Sequence, residues 1–328
     1  MHVVAIGGGT GLATLLRGLK PHVARTAAPA ERLPSISRLT AIVTVTDEGG
    51  SSGRLRRDFG MLPPGDIRNC LVALAEDEQL LTRLFSYRFT GGRGLAGHSF
   101  GNLFLAALTH LTRDFAKAVR VSSEVLAVRG EIFPSTLSDV RLRARLADGR
   151  VVRGEAPVNR TSVPIVRLEL VPRGARALPE ALAAIDQADL ITLGPGSLYT
   201  SLIPNLLVRG VPDCLARARA VTVLVANLMT QPGETRGYAA SDHLRALREH
   251  ASGRNLFDTV VLNNQKLSPG LLKRYAAEGG VPVVNDLNAV RSLGVRPVVA
   301  PLVEEDHVAR HNPRRLARLL LRLAARRE

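Results

Sequence analysis

The stretch MHVVAIGGGTGLATLLRGLK (1–20) holds three readable pieces. HVVAI (2–6) is a short apolar run of the kind that fills a buried strand. GGGTG (7–11) is a turn. From Gly11 to Lys20, Leu12, Leu15, Leu16 and Leu19 recur at helical spacing. Strand, glycine turn and helix in that order open an α/β unit. The same alternation returns along the chain. LTAIVTV (39–45) predicts a second strand. Asp66 is a plausible N-cap for a helix from Ile67 to about Phe85, and Ser99–Arg113 predicts another. The helical period fades from about Val121 to Pro172, where VRLRARL, the ADGR turn and VVRGEA predict a hairpin and PIVRLELVP alternates again. Helix and strand resume at 179–187 and 188–194. Further strands are expected at 221–227, 258–264 and 281–286, with helices at 243–251, 271–279 and 313–326. Nearly continuous apolar strands between helices imply a mostly parallel sheet covered on both faces. The predicted fold is therefore α/β: one domain over 1–328, with a small inserted antiparallel β patch at about 121–172.

Composition narrows the function classes. Hydrophobic residues make up 45% of the chain, enough for a core and too much for disorder. No run approaches the ~18 apolar residues of a membrane helix. MHVVAIGGGTG enters a strand and a glycine turn at once, so no signal peptide is expected. Cys70 and Cys214 stand apart from each other and from any suggestive His, which fits a reducing cytoplasm, buried structural thiols and no zinc site. The net charge of +15 comes almost wholly from Arg. It attracts anionic ligands, and a phosphorylated small molecule is the first expectation after a merely solvated surface. The arginines are spread along the sequence and aromatics make up only 4%, so specific nucleic-acid binding is not expected.

In an open parallel sheet, ligands sit beyond the carboxyl ends of the strands, so the segments after each strand are the candidates. Gly8, Gly9, Thr10 and Gly11 form a turn where backbone can approach a phosphate at a helix N-terminus. Leu12 replaces the third glycine of the dinucleotide fingerprint, and no Gly-Lys-Ser/Thr follows, so neither standard phosphate motif is matched. VTDEGGSSGRLRRDFGMLPPGDIRN (45–69) reads as a long loop without secondary structure, and such a loop in a compact domain is usually functional. In it, Ser51 and Ser52 could wrap an anion. Asp47 could hold a ribose hydroxyl or a magnesium ion. LGPGSLYTS (193–201) repeats the strand–turn–helix logic with Gly194, Gly196 and Ser197. NLMTQPGET (227–235) offers Asn227 and Thr230, and GHSFGN (97–102) places His98 and Asn102 at a helix start. A lone His is more often structural than catalytic. Together these segments point to a nucleotide-like, multiply phosphorylated ligand.

The segments GGGTGL…LLRGLK, AIVTVTDEGGSSGRLR, PPGDIRNCLVALA, GHSFGNL, LGPGSLYTS, NLMTQPGET and RHNPRRLA together resemble the gluconeogenesis factors of the YvcK type, relatives of 2-phospho-L-lactate transferase. The resemblance runs in order along nearly the whole chain. It implies a Rossmann-like fold. It also implies a cytoplasmic regulator that binds UDP-sugars, notably UDP-N-acetylglucosamine, and links gluconeogenic carbon metabolism to cell-wall precursor supply and cell shape, with a protein partner in precursor synthesis. The transferase branch instead implies transfer of a phospholactyl group from a guanosine-diphosphate conjugate to a deazaflavin, with Mg2+. The sequence shows no base–nucleophile pair, so a binding protein is favoured over an enzyme. By resemblance, Asn69, Tyr275 and Arg310 join the ligand-binding set. The resemblance also marks two departures. Glu48 stands where the family has Asp, which leaves Asp47 as the better metal candidate, and Asn312 stands where a carboxylate is usual. A homodimer is the default expectation.

Overall fold

Val3, Val4, Ala5 and Ile6 are all at most 1% exposed, which places the first strand at the centre of the molecule. The computed structural model describes residues 1–24, 33–76 and 78–325. Its strands are β1 (His2–Gly7), β2 (Arg38–Val43), β3 (Glu131–Pro134), β4 (Arg141–Leu146), β5 (Val151–Arg153), β6 (Ile165–Val171), β7 (Leu190–Leu193), β8 (Val221–Val225), β9 (Thr259–Asn263), β10 (Arg296–Ala300), β11 (Val303–Glu305) and β12 (Ala309–His311). The main sheet runs β10-β9-β8-β7-β1-β2-β3 and every pairing in it is parallel. Helices lie on both faces, and the expected α/β architecture is the one found. The chain winds outward from β1 through β2 to β3, then returns to β7 on the other side of β1. The order of winding thus reverses between β1 and β7, and such switch points are where doubly wound sheets bind ligands.

The second sheet is a three-stranded antiparallel one, ordered β5-β4-β6. Its strands lie within 141–171, narrower than the stretch 121–172 read from the sequence. The helix Phe115–Val125 continues past Val121, and β3 joins the main sheet beside β2. The short ribbon of β11 and β12 is antiparallel.

Three local expectations are corrected. The stretch 45–69 is not a structureless loop: Gly50–Phe59 is a helix. Its Ser51, Ser52, Gly53, Leu55 and Arg56 are buried, and tertiary burial outweighs the weak helix propensity of Gly and Ser. Arg56 is 4% exposed; it donates to the Val140 carbonyl at 2.6 Å and pairs with Asp139 and Glu48, which fastens this helix to the inserted sheet. The helix expected from Ile67 to about Phe85 is two helices, Gly65–Leu74 and Glu78–Ser86, and Pro64, not Asp66, is the cap residue. The first helix stops because the carbonyls it would need are taken: Leu74 accepts from the Arg129 backbone and Ala75 from Lys20 Nζ. Finally, 281–286 contributes no sheet strand. Val281 and Val283 bond to the 228–230 loop instead, and the edge position belongs to β10, whose Pro297 suits an edge.

Candidate functional site

The turns after β1 and β7 meet above the switch point. A Cβ on Gly11 would lie 2.4 Å from the Pro195 carbonyl oxygen, and one on Gly8 would lie 2.5 Å from Thr44 and 2.7 Å from Asp66 Oδ2. These glycines are therefore required by loop-on-loop packing. Gly9 differs: its φ is +63° and nothing lies within 3.9 Å of its Cβ position. Gly8, at the cap position of the helix Gly9–Leu19, has no side chain to offer its first N–H groups, and the Gly9 N–H is bonded to the Asp66 carboxyl. Behind the second turn, Leu198–Leu202 is one turn of π-helix. Buried Glu234 holds it, accepting from the Tyr199 backbone at 2.7 Å and from Thr200 Oγ1 at 2.8 Å.

The crevice is a cavity of about 730 Å³. Of the residues expected at the site, Gly8, Gly9, Thr10, Gly11, Asp47, Asn69, Gly196, Ser197, Asn227, Thr230 and Tyr275 line it together. Gln231 Nε2 donates to Ser197 Oγ at 2.8 Å, joining two of the loops. Tyr275 accepts from the Ala309 backbone N–H at 3.0 Å, which ties its helix, Pro269–Ala277, to β12. The structure places the other expected residues elsewhere. Gly194 is buried one residue behind the wall, with φ +84°. Ser51 and His98 form a buried pair at 3.0 Å, and Asn102 donates to Ser52 at 3.4 Å. These four form a buried polar layer behind Asp47, reached through Gly65, where a Cβ would touch both Asp47 and Ser52. Arg310 is exposed in β12 between Ala309 and His311, both of which line the cavity. Among the described residues its side chain makes no hydrogen bond or ion pair.

The sequence reading missed most of the acidic wall. Asp66, Glu155, Glu234 and Glu278 line the cavity with Asp47, whereas no Lys or Arg among the described residues does. This in a chain of net charge +15 is the site's main electrostatic fact. Burial, then the charge of Asp47, pushes the Asp66 carboxyl up to about 7. Burial and Asp47 push Glu155 up to about 8, and Glu155 shares a side-chain hydrogen bond with Asp47, which needs a proton on one of the two. Glu155 reaches the site because its backbone and that of Glu48 exchange bonds: Glu48 N–H donates to Glu155 Oε2 at 2.9 Å, and Glu155 N–H to Glu48 Oε2 at 3.3 Å. Glu48 thus faces Arg56 and the insert, not the cavity. His311, deeply buried, is held neutral, its pKa lowered to about 4 by burial. Asp66 and Glu234 stood inside motifs quoted from the sequence. Glu155 lies in the insert and carried no local signal.

Asp47, Asp66 and Glu155 are oxygen donors of the type a hard divalent cation prefers. Among the described residues, no three such groups converge tightly enough to be a metal site as they stand. A second cavity, of about 610 Å³, lies at the β3 edge, lined by Arg38 and Glu131. It runs along the whole of β3, from Glu131 to Pro134, and none of its lining residues belongs to the turns after β1 or β7 at the switch point.

The family model for 2-phospho-L-lactate transferase CofD matches residues 3–303. The chain belongs to the CofD family. Within this family it is 44% identical over 321 residues to the gluconeogenesis factor of Halalkalibacterium halodurans, covering 98% of this chain and 95% of that one. It is 43% identical over 322 residues to the gluconeogenesis factor of Bacillus subtilis, covering 98% and 97%. The crystal structure of protein BH3568 from Bacillus halodurans superposes with a TM-score of 0.91 at 44% identity, covering 98% of this chain and 99% of that one. Among the described residues no helix is long and apolar enough to cross a membrane.

Proposed function

We propose that the cavity between β1 and β7 binds a nucleoside-diphosphate conjugate, and within that class a UDP-sugar such as UDP-N-acetylglucosamine. One observation carries the reading: two glycine turns meet at the switch point of a parallel sheet, and the helix Gly9–Leu19 starts there. Backbone N–H groups at that start suit a diphosphate. The acidic wall requires a further element. A diphosphate beside Asp47, Asp66 and Glu155 needs its charge balanced, and a divalent cation such as Mg2+ held by Asp47 and Asp66 would supply that balance. Asn227, Thr230, Gln231 and Tyr275 are placed for the base or the sugar, and Arg310 is close enough in sequence to the wall to turn onto a phosphate. The cellular role in this reading is a cytoplasmic regulator that links gluconeogenic carbon metabolism to cell-wall precursor supply and cell shape; the names of the relatives suggest the link to gluconeogenesis, and the rest comes from the sequence resemblance alone.

The acidic wall favours a second reading, in which the same site transfers a phosphorylated group. Phosphoryl-type transfer relies on positioned cations and backbone donors, and the metal-binding carboxylates would serve it directly. Melting curves and calorimetry with UDP-, GDP- and ADP-linked compounds, each with and without Mg2+, test the first reading. A ligand at a hundred times its Kd stabilises by ~2.7 kcal/mol. Stabilisation by UDP-sugars without nucleotide turnover is expected. Release of nucleoside monophosphate from a GDP conjugate in the presence of a deazaflavin acceptor would establish the second reading instead.

A further inference from the structure

Arginines spread along the sequence gather on one face of the inserted sheet. In β4, Leu142, Ala144 and Leu146 are buried, so Arg141, Arg143 and Arg145 share the outer face. β5 adds Arg153, β6 adds Arg167 and Glu169, and Arg173 follows β6. The register sets Arg143 opposite Arg153 and Arg145 opposite Arg167. Like charges directly opposite each other weaken a strand pair, yet the strands of this sheet bring one acidic side chain to the face, Glu169, and Glu48 reaches only Arg141, at 3.9 Å, from outside the sheet. We propose that the face docks an extended acidic segment of a partner protein, whose carboxylates neutralise these arginines.

Three features select a polypeptide carboxylate over other polyanions. The face already shows the contact. Glu169 accepts from Arg143 Nε at 3.0 Å and also pairs with Arg173, so one carboxylate is shared by two guanidinium forks. The spacing matches too. Arg141, Arg143 and Arg145 stand at every second residue of β4, and alternate side chains of an extended segment project at the same repeat, roughly 6.8 Å. The chemistry for other surfaces is missing. No aromatic side chain lies in the strands of the sheet for a base to stack on. The exposed apolar residues of these strands are valines, Val151, Val166 and Val171, too small to anchor in a bilayer. The depression of about 530 Å³ among Arg143, Arg145, Arg167 and Arg173 is a shallow seat for such a segment.

The test uses the full chain and a labelled synthetic peptide alternating Glu with Thr, read by fluorescence anisotropy at physiological salt. Saturable binding at micromolar concentration is expected, weakened by roughly tenfold or more in the Arg145→Glu/Arg167→Glu double variant, since each lost site is a charge-assisted contact. A double variant of equal charge change at exposed positions of the last helix, Arg314→Glu/Arg322→Glu, is expected to keep its affinity. Arg145→Gln/Arg167→Gln serves if charge reversal impairs folding. Equal losses in the two charge-reversal variants would reduce the effect to net charge and overturn the proposal. So would failure to bind the acidic peptide, or tighter binding of duplex DNA or phosphatidylglycerol vesicles through the same two arginines.

Discussion

Asp66 sits where a carboxylate is least comfortable, beside Asp47 at the floor of the cavity, and its carboxyl is pushed up to about 7. Its native pKa lies above its unfolded one, as does that of Glu155 at about 8. Between pH ~4 and 7 the native state therefore holds more protons than the unfolded state, and these two groups lower stability as pH rises through that window. His311 acts oppositely: its native pKa, about 4, is below the ordinary His value, so stability is lost as pH falls below about 6.5. We predict that Asp66→Asn raises the melting temperature of the ligand-free protein at pH 8 and changes it little at pH 5. The same variant should weaken Mg2+-dependent nucleotide binding. An equal shift at both pH values would show that Asp66 is not held near neutrality by its surroundings. The two C-terminal candidates separate at the same scale. Arg310→Ala removes an exposed, unpaired cation, so melting should stay unchanged while UDP-sugar affinity falls roughly ten- to hundred-fold if Arg310 grips a phosphate. Unchanged affinity by calorimetry removes it from the site. Tyr275→Phe loses an acceptor for the Ala309 N–H and should lower both affinity and melting temperature.

Among the elements, the β1 turn separates two uses of glycine. Gly11→Ala puts a methyl 2.4 Å from the Pro195 carbonyl, so the β1 and β7 turns must part; overpacking of this kind costs ~1–3 kcal/mol. Gly9→Ala meets open space but keeps a left-handed φ, at ~1–2 kcal/mol. Both should lower the melting temperature. Only Gly11→Ala should also loosen the 195–201 segment, seen as faster amide exchange there. Equal exchange in the two variants would mean that the turns are not coupled. The helix Gly50–Phe59 depends on Arg56 in the same way. Removing a buried cation while leaving Glu48 and Asp139 in place costs about 3–5 kcal/mol in buried pairs, and because Asp139 is exposed the lower end is expected for Arg56→Met, measured by denaturant unfolding. This helix was illegible in the sequence because its glycines and serines signal a loop, and only burial under the insert makes them helical.

At the scale of the whole molecule, the insert supplies part of the cavity wall. Its short helix Glu155–Arg160 brings Glu155 and Asn159 to the cavity, and the 227–235 loop packs against it so closely that a Cβ on Gly233 would lie 1.8 Å from the Asn159 carbonyl. Gly233→Ala should push this helix off the cavity. The expected result is at least tenfold weaker nucleotide binding, a retained circular dichroism spectrum and faster amide exchange over 155–160. Intact affinity would mean that the insert is not part of the binding wall.

The alternation of apolar runs with helical leucine periods was enough to determine the α/β class and the positions of most central strands along the chain, and it marked the turns after β1, β7 and β8 as candidates, because strand burial and helix periodicity are local properties of the chain. Local pattern could not decide which turns would become neighbours. That followed from the sheet order, which sets β1 beside β7 and so brings Gly11 against Pro195. Nor could it mark Glu155, whose place opposite Asp47 depends on backbone contacts between residues far apart in sequence. The acidic cavity and the basic sheet face are likewise products of folding. In sequence the charges are interleaved, and only the alternation of side chains across a strand and the winding of the chain sort them onto separate surfaces.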